Sequence, residues 1–364
     1  MVDDRNLVQR IAKAYRASVV TEMGPPGLFW FNEFVDMKRT IHDALMADNV
    51  ADLQEMLRHP DKTDLLYGFD NLNLNFVLRR QPADAEAMRG LNHRLLVNLC
   101  AALGSLPRFN PEQPRPDSPV SLEQIFEWLD STCGFRLEFP ILSANELGLS
   151  TSRGLVTERA VQAVYQNFRT SLFCRDIEAP RILEIGAGLG RTAYYSWRKG
   201  LRDYTIVDIP MTAVAQAYFL GRFLGEDCIK LYGETSGGSI RILPPQAFFD
   251  SQDHYDVAVN VDSMTEMARE VAQKYVTNIE DRAGMLLSVN HESNPFTVRD
   301  LLSGPARRVT QRNLYWMREG YVEEIVDFEP LRRLQKITKM KKSLFSRATG
   351  PLRSMAKRIS RISG

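Results

Sequence analysis

Two spacings of apolar residues divide this chain. Up to about residue 106, Ile41, Leu45 and Met46, then Leu53, Met56 and Leu57, then Leu91, Leu95 and Leu99 recur at three- and four-residue intervals. That period predicts helices burying one stripe each. From residue 181 onward, short apolar runs take over at 181–185, 204–208, 256–261, 284–290 and 321–328, with a weaker strand at 228–232 or 240–243. Such runs alternating with helical stretches predict a doubly wound α/β sheet of parallel strands, with room for an antiparallel strand late in the chain. Between the two zones, PRFNPEQPRPDSP carries five prolines over residues 107–119 and reads as a loop or linker. Ser121 followed by Gln124 in SLEQIFEWLD has the form of a capping box, and a further helix is expected over 157–173. The domains expected are therefore a mostly helical part at 1–150, an α/β part at 151–330 and a tail at 331–364. No internal repeat is visible.

Residues 181–210, RILEIGAGLGRTAYYSWRKGLRDYTIVDIP, carry the most information. A buried-strand pattern runs into Glu184 and the cluster Gly186-Ala187-Gly188-Leu189-Gly190; a helical stretch and a second strand ending at Asp208 follow. Strand, glycine turn, helix and a strand closed by a carboxylate make half of a nucleotide-binding sheet. Glycine lets backbone approach a ligand, and a carboxylate can accept from both ribose hydroxyls. The dinucleotide fingerprint requires glycine at its sixth position, where this chain has Arg191. No pyrophosphate cradle is implied; an anchor for an amino-acid ammonium group fits Glu184 better.

The GxGxG turn after Glu184 resembles motif I of the class I S-adenosylmethionine (SAM) dependent methyltransferases. The resemblance implies a Rossmann-like methyltransferase sheet with SAM as cofactor. It would be held by Glu184, Gly186, Ala187, Gly188 and Gly190, by Asp208 at the ribose, and by Asn260 after the fourth strand. VNVDSMTEM after that strand, Leu243-Pro244-Pro245 before it and LYWMREGYVEE near the end narrow the resemblance to the sugar O-methyltransferase family. It is strong over about residues 180–330 and looser over 1–150, where LLYGFDN adds to it. The reaction implied is methyl transfer to a sugar hydroxyl, whether the sugar is free, nucleotide-linked or part of a glycan.

Ligands in open α/β sheets sit beyond the carboxyl ends of the strands. Asp262 and Glu266 follow the fourth strand there, and Asn290-His291-Glu292 close the fifth. A sugar hydroxyl needs a base to take its proton, and histidine titrates near neutrality, so His291 leads with Asp262 and Glu266 as competitors. Helix-start chemistry is the plainer reading of Asp262, Ser263 and Glu266. Asp262, Glu266, His291 and Glu292 together could also hold a divalent ion that orients sugar hydroxyls. Phe29, Trp30, Phe31 and Phe34 offer a stacking platform or an interdomain core, and Asn71, Asn73 and Asn75 offer sugar contacts or an ordinary turn.

Composition narrows the partners. The 364 residues are 44% hydrophobic and 25% charged, as in ordinary globular proteins, and have no apolar run long enough to span a bilayer. The start, MVDDRNLVQR, lacks the apolar core of a secretory signal. Cys100, Cys133, Cys174 and Cys228 are scattered, which suits a reducing cytoplasm and neither zinc nor a disulfide framework. A net charge of +1 hides an asymmetry. Eleven basic residues and no acid follow Glu329, leaving 35 bases against all 45 acids in the body. An acidic body with no NPPY-like element argues against a nucleic-acid substrate. The tail, with Leu352, Met355, Ile359 and Ile362 at helical spacing among arginines and lysines, has the makings of a membrane-surface helix on the inner face of a membrane, or of a solvated extension. A second copy of the chain is the other partner the sequence leaves open. Competing functions are methyl transfer to another small-molecule hydroxyl and a non-catalytic SAM-binding scaffold in glycan assembly.

Overall fold

The computed structural model describes residues 3–22, 36–68, 70, 82–106, 112, 120–143, 146–302 and 310–328. The aromatic cluster at 29–34, the asparagines at 71–75, the proline-rich stretch and the basic tail fall outside these residues, apart from single positions. The N-terminal part supplies α1 (Arg5–Glu22), α2 (Arg39–Met46), α3 (Val50–Arg58), α4 (Pro82–Leu103) and α5 (Leu122–Cys133). A hairpin of β1 (Leu149–Thr151) and β2 (Gly154–Val156) leads into α6 (Glu158–Phe173). Then come β3 (Arg181–Ile185), α7 (Arg191–Lys199), β4 (Asp203–Val207), α8 (Pro210–Leu224), β5 (Ile229–Leu231) and β6 (Ile240–Leu243). They are followed by α9 (Pro245–Asp250), β7 (Tyr255–Val261), α10 (Arg269–Arg282), β8 (Ala283–His291), α11 (Val298–Leu301), β9 (Thr310–Leu314) and β10 (Tyr321–Asp327). The expected capping box is present at the start of α5, with Ser121 and Gln124 exchanging bonds.

Eight strands form one sheet in the order β5-β6-β4-β3-β7-β8-β10-β9. All pairings from β5 to β8 are parallel, and β10 runs antiparallel to both β8 and β9. The fold is thus the expected doubly wound Rossmann-like sheet, including its late antiparallel strand. Both weak candidates, 229–231 and 240–243, are strands. Helices cover both faces, so side chains alternate between two buried layers instead of between core and water. Ile182, Ile206, Val257 and Val289 face one layer; Leu183, Val207, Ala258 and Leu286 face the other.

The N-terminal helices share the first layer: Leu7, Ile11, Leu45 and Leu57 belong to the same continuous core as Ile182 and Phe219. Where α1 crosses α8, a Cβ on Gly221 would fall 2.7 Å from a Leu7 methyl, so any side chain there would require the buried Leu7 to shift. Asp4 ties the entry of α1 to the rest. Its carboxylate accepts from Tyr218 Oη (2.8 Å), Gln54 Nε2 (2.8 Å) and the Arg58 guanidinium. Burial would raise its pKa, but Arg58, Gln54 and Tyr218 outweigh burial and hold it at about 2. Against an unfolded value near 3.9, that depression contributes about 2.5 kcal/mol. The contribution is complete above about pH 4 and is lost as pH falls towards 2. Asp4→Ala is expected to lower stability by about 3 kcal/mol at pH 7, because it strands Arg58 and Tyr218. The difference from wild type should shrink below pH 4 in urea titrations; a constant difference would refute this account.

Candidate active site

The sheet reverses its winding between β3 and β7, and in open α/β sheets the carboxyl ends of the two strands at such a reversal are where ligands are received. The glycine turn leaves β3 there. Gly186, Gly188 and Gly190 all have positive φ, at 72°, 55° and 84°. Gly186 is the most constrained, since a Cβ there would lie 2.2 Å from Ser263 Oγ and 2.6 Å from Ser263 Cβ. The turn therefore rests directly on the segment that leaves β7. On its other side, Ala187 N–H donates to Asp208 Oδ2 at 3.0 Å. Gln216 Nε2 links the same oxygen (2.6 Å) to the carbonyl of Gly188 (3.0 Å), and Ile209 N–H donates to Asp208 Oδ1 (2.9 Å). Burial pushes the Asp208 carboxyl up to about 7 against these three donors. A carboxylate accepts about four hydrogen bonds, so one position remains for a ligand hydroxyl.

Glu184 and Asn260 are buried at the ends of β3 and β7 and bonded within the protein. Glu184 is 2% exposed and accepts from Tyr204 Oη at 2.8 Å. Burial raises its carboxyl to about 7, and its work is to brace β3 against β4. Asn260 is fully buried at the end of β7. Its Nδ2 donates to the Ile185 carbonyl (2.9 Å) and Ser263 Oγ (2.6 Å), while Oδ1 accepts from Asn290 Nδ2 (2.8 Å). These bonds lock the ends of β3, β7 and β8 in register.

Asp262, Glu266 and His291 do come together, each offering a ligand atom within 4.8 Å of the others. Asp262 is nonetheless a poor base. Oδ2 accepts from Arg318 Nη1 (2.6 Å) and Arg159 Nη1 (3.2 Å), and Oδ1 accepts from Tyr321 Oη (2.7 Å). Burial would raise its pKa, but Tyr321, Arg318 and Arg159 lower it overall, so it stays ionised with its oxygens engaged. It is also a non-glycine residue at φ 55°, a strained conformation that the surrounding bonds hold in place. Nor does it start a helix: α10 begins only at Arg269, and Ser263 forms no side-chain cap.

Glu266 closes a short 3₁₀ turn, Met264–Glu266, and opens to solvent. The packed wall about it and the Asp262 charge raise its carboxyl to about 7. His291 ends β8, with Nδ1 2.7 Å from Ser293 Oγ and Nε2 3.3 Å from Asn294 Nδ2. Asn294 Nδ2 also donates to the Thr265 carbonyl (2.9 Å) and Oγ1 (3.0 Å), which uses both of its hydrogens, so its longer contact with the ring does not fix the His291 tautomer. Glu292 points elsewhere and is paired with Arg312. A divalent ion on these side chains would share Asp262 with two guanidinium groups at hydrogen-bond distance. Of the four residues that could hold a divalent ion, Asp262, Glu266 and His291 come together and Glu292 does not, and the guanidinium partners of Asp262 compete with an ion for its oxygens.

Sequence reasoning missed Arg159, Arg318 and Tyr321, which approach Asp262 from α6, from the β9–β10 turn and from β10. No family model matches this chain, and neither does any curated protein. Among solved structures, it is similar to magnesium protoporphyrin IX methyltransferase (ChlM) from Synechocystis PCC 6803 with bound SAH. That match has 13% identity, covers 47% of this chain and 84% of that one, and has a TM-score of 0.33. It is also similar to an O-methyltransferase family protein from Burkholderia thailandensis, with 13% identity, 46% and 59% coverage and a TM-score of 0.31. Likeness at this level says nothing about substrate, and the chemistry has to come from the site. No helix among the described residues is long and apolar enough to cross a membrane.

Proposed function

We propose that this chain is a SAM-dependent O-methyltransferase whose acceptor is a sugar hydroxyl. The observation that carries the reading is the contact of Gly186 with Ser263, which sets the glycine turn and the Glu266–His291 pair at the same end of the sheet. The left-handed turn at Gly186, Gly188 and Gly190, with Ala187 bonded to Asp208 beside it, supports a site for the methionine and ribose portions of SAM. When bound, SAM supplies a methyl group made electrophilic by a positive sulfur. The chain's own part is to orient the acceptor hydroxyl and remove its proton, the role we assign to His291, which stands beside Glu266 and Asp262. Glu266 beside it stabilises the imidazolium that results.

Charge supports a neutral acceptor. Arg159 and Arg318 are opposed by Asp262, Glu158 and Glu266, so this wall has one net negative charge when Glu266 is ionised and none when it is protonated. Such a wall tolerates a cationic sulfonium and a polyhydroxylated acceptor, and offers no spare cation to an anionic reacting group. The test is calorimetric titration with SAM and SAH, followed by methyl transfer to free sugars, nucleotide sugars and cell-envelope glycans, with phenolic scaffolds for contrast. Saturable binding and transfer to a sugar are expected. A chain that binds neither compound, or methylates only phenols, would overturn the proposal.

A further inference from the structure

Asp208 borders a cleft whose lining crosses between the two halves of the chain. Pro244 and Tyr232 reach it from beyond β6 and β5, Ala213 from α8, and Ala14 and Tyr15 from α1. Asp208 is the one charged residue in this lining. Two of the hydroxyls are engaged within the protein: Tyr15 Oη lies 2.7 Å from His42 Nδ1, and Ser18 Oγ donates to the Tyr15 carbonyl at 2.8 Å. The enclosed core is about 20 Å³, room for a water or for the edge of a flat ring. Apolar walls and a lone carboxylate suit an uncharged ring and repel a phosphate. Strand order gives a ligand its direction. β3, with the glycine turn, adjoins β4, with Asp208, and β4 adjoins β6, at whose end the cleft lies. A molecule with its amino-acid part on the turn and its ribose at Asp208 therefore continues into the cleft.

We propose that helix α1 forms one wall of the cofactor's nucleoside site, with Ala14 and Tyr15 lining the space that takes the edge of the base. This assignment rests on the SAM-binding reading and makes the leading helical segment part of the cofactor site. The wall is fixed in place. Besides the close approach of Leu7 to Gly221 and the bonds of Asp4, the Arg10 guanidinium donates to the carbonyls of Glu226 (2.8 Å) and Ile229 (3.0 Å) and pairs with Glu234 at 2.7 Å. Helix α1 is thereby pinned against both α8 and the start of β5, on either side of the cleft residues it contributes.

Wild type, Ala14→Val, Ala14→Leu, Ala213→Leu and Lys13→Leu are titrated with SAM and with adenosine, and melted without ligand. Ala14→Leu puts an isobutyl group where the base edge would lie, and is expected to weaken both ligands by the same factor, at least about tenfold. Ala213→Leu should do likewise from α8, and Ala14→Val should fall between Ala14→Leu and wild type. Lys13→Leu adds the same group on the exposed face of α1 and should bind like wild type. Ala14 and Ala213 are only partly buried, so their variants should melt close to wild type. Wild-type affinity in both Ala14 variants, or a loss for SAM without a loss for adenosine, overturns the assignment while leaving the methyltransferase reading intact. Failure of the wild type itself to bind SAM overturns both.

Discussion

Gly186→Ala is expected to abolish SAM binding in a protein that still folds. The added Cβ falls 2.2 Å from Ser263 Oγ, well inside van der Waals contact, and φ at 72° adds strain for any residue with a side chain. Relief requires Ser263 to move, and Ser263 is bonded to Asn260 and to the Ile185 carbonyl. The disturbance therefore spreads into the clamp that aligns three strand ends. An affinity loss of at least about a hundredfold is expected by titration. The double variant Gly186→Ala/Ser263→Gly removes the clash but keeps the strain, so it should regain part of that loss. Wild-type affinity in the single variant would mean that the glycine turn does not hold the cofactor.

The second large effect separates the candidate bases. His291→Ala is expected to reduce kcat by about two to four orders of magnitude with SAM affinity unchanged. Glu266→Gln should cost less and should flatten the pH profile. The Glu266 carboxyl, held near 7, loses its charge as pH falls through neutrality, and the wall loses its negative charge with it. Wild-type activity should accordingly fall below about pH 7, more steeply than in Glu266→Gln. Full activity in His291→Ala together with an inactive Glu266→Gln would transfer the base role to the carboxylate. Asp262 is excluded from it by Arg159, Arg318 and Tyr321, whatever the pH above its depressed pKa.

The elements that carry strong local patterns were legible in the sequence. The strands β3, β4, β7 and β8 read as apolar runs, and the glycine spacing announced the turn between β3 and α7. β9 was not legible because it is an edge strand, Thr310-Gln-Arg-Asn-Leu314, with Leu314 89% exposed, and so lacks a buried periodicity. The residues that follow β7 looked like a helix start because Asp, Ser and Glu are common there. Their true partners lie on helix α6, on strand ends and on a distant hairpin. Arg159 and Tyr321 are 103 and 59 residues from Asp262, and no local pattern marks side chains that meet only once the sheet has formed. The same limit hid the burial of Glu184 and Asn260, which is set by the layers packed around them.

Arg191 has a bearing on how such a chain can change over evolutionary time. It occupies the sixth position of the glycine pattern, is buried, and draws its counter-charges, Asp70 and Glu146, from the N-terminal half. Recombination that joined this sheet to a different leading segment would leave a guanidinium charge among apolar side chains, at a penalty of about 3–5 kcal/mol. Most exchanges of that kind would be lost to misfolding before any new acceptor specificity could be selected. Exchanging either half alone is therefore expected to lower stability unless the incoming segment restores both counter-charges.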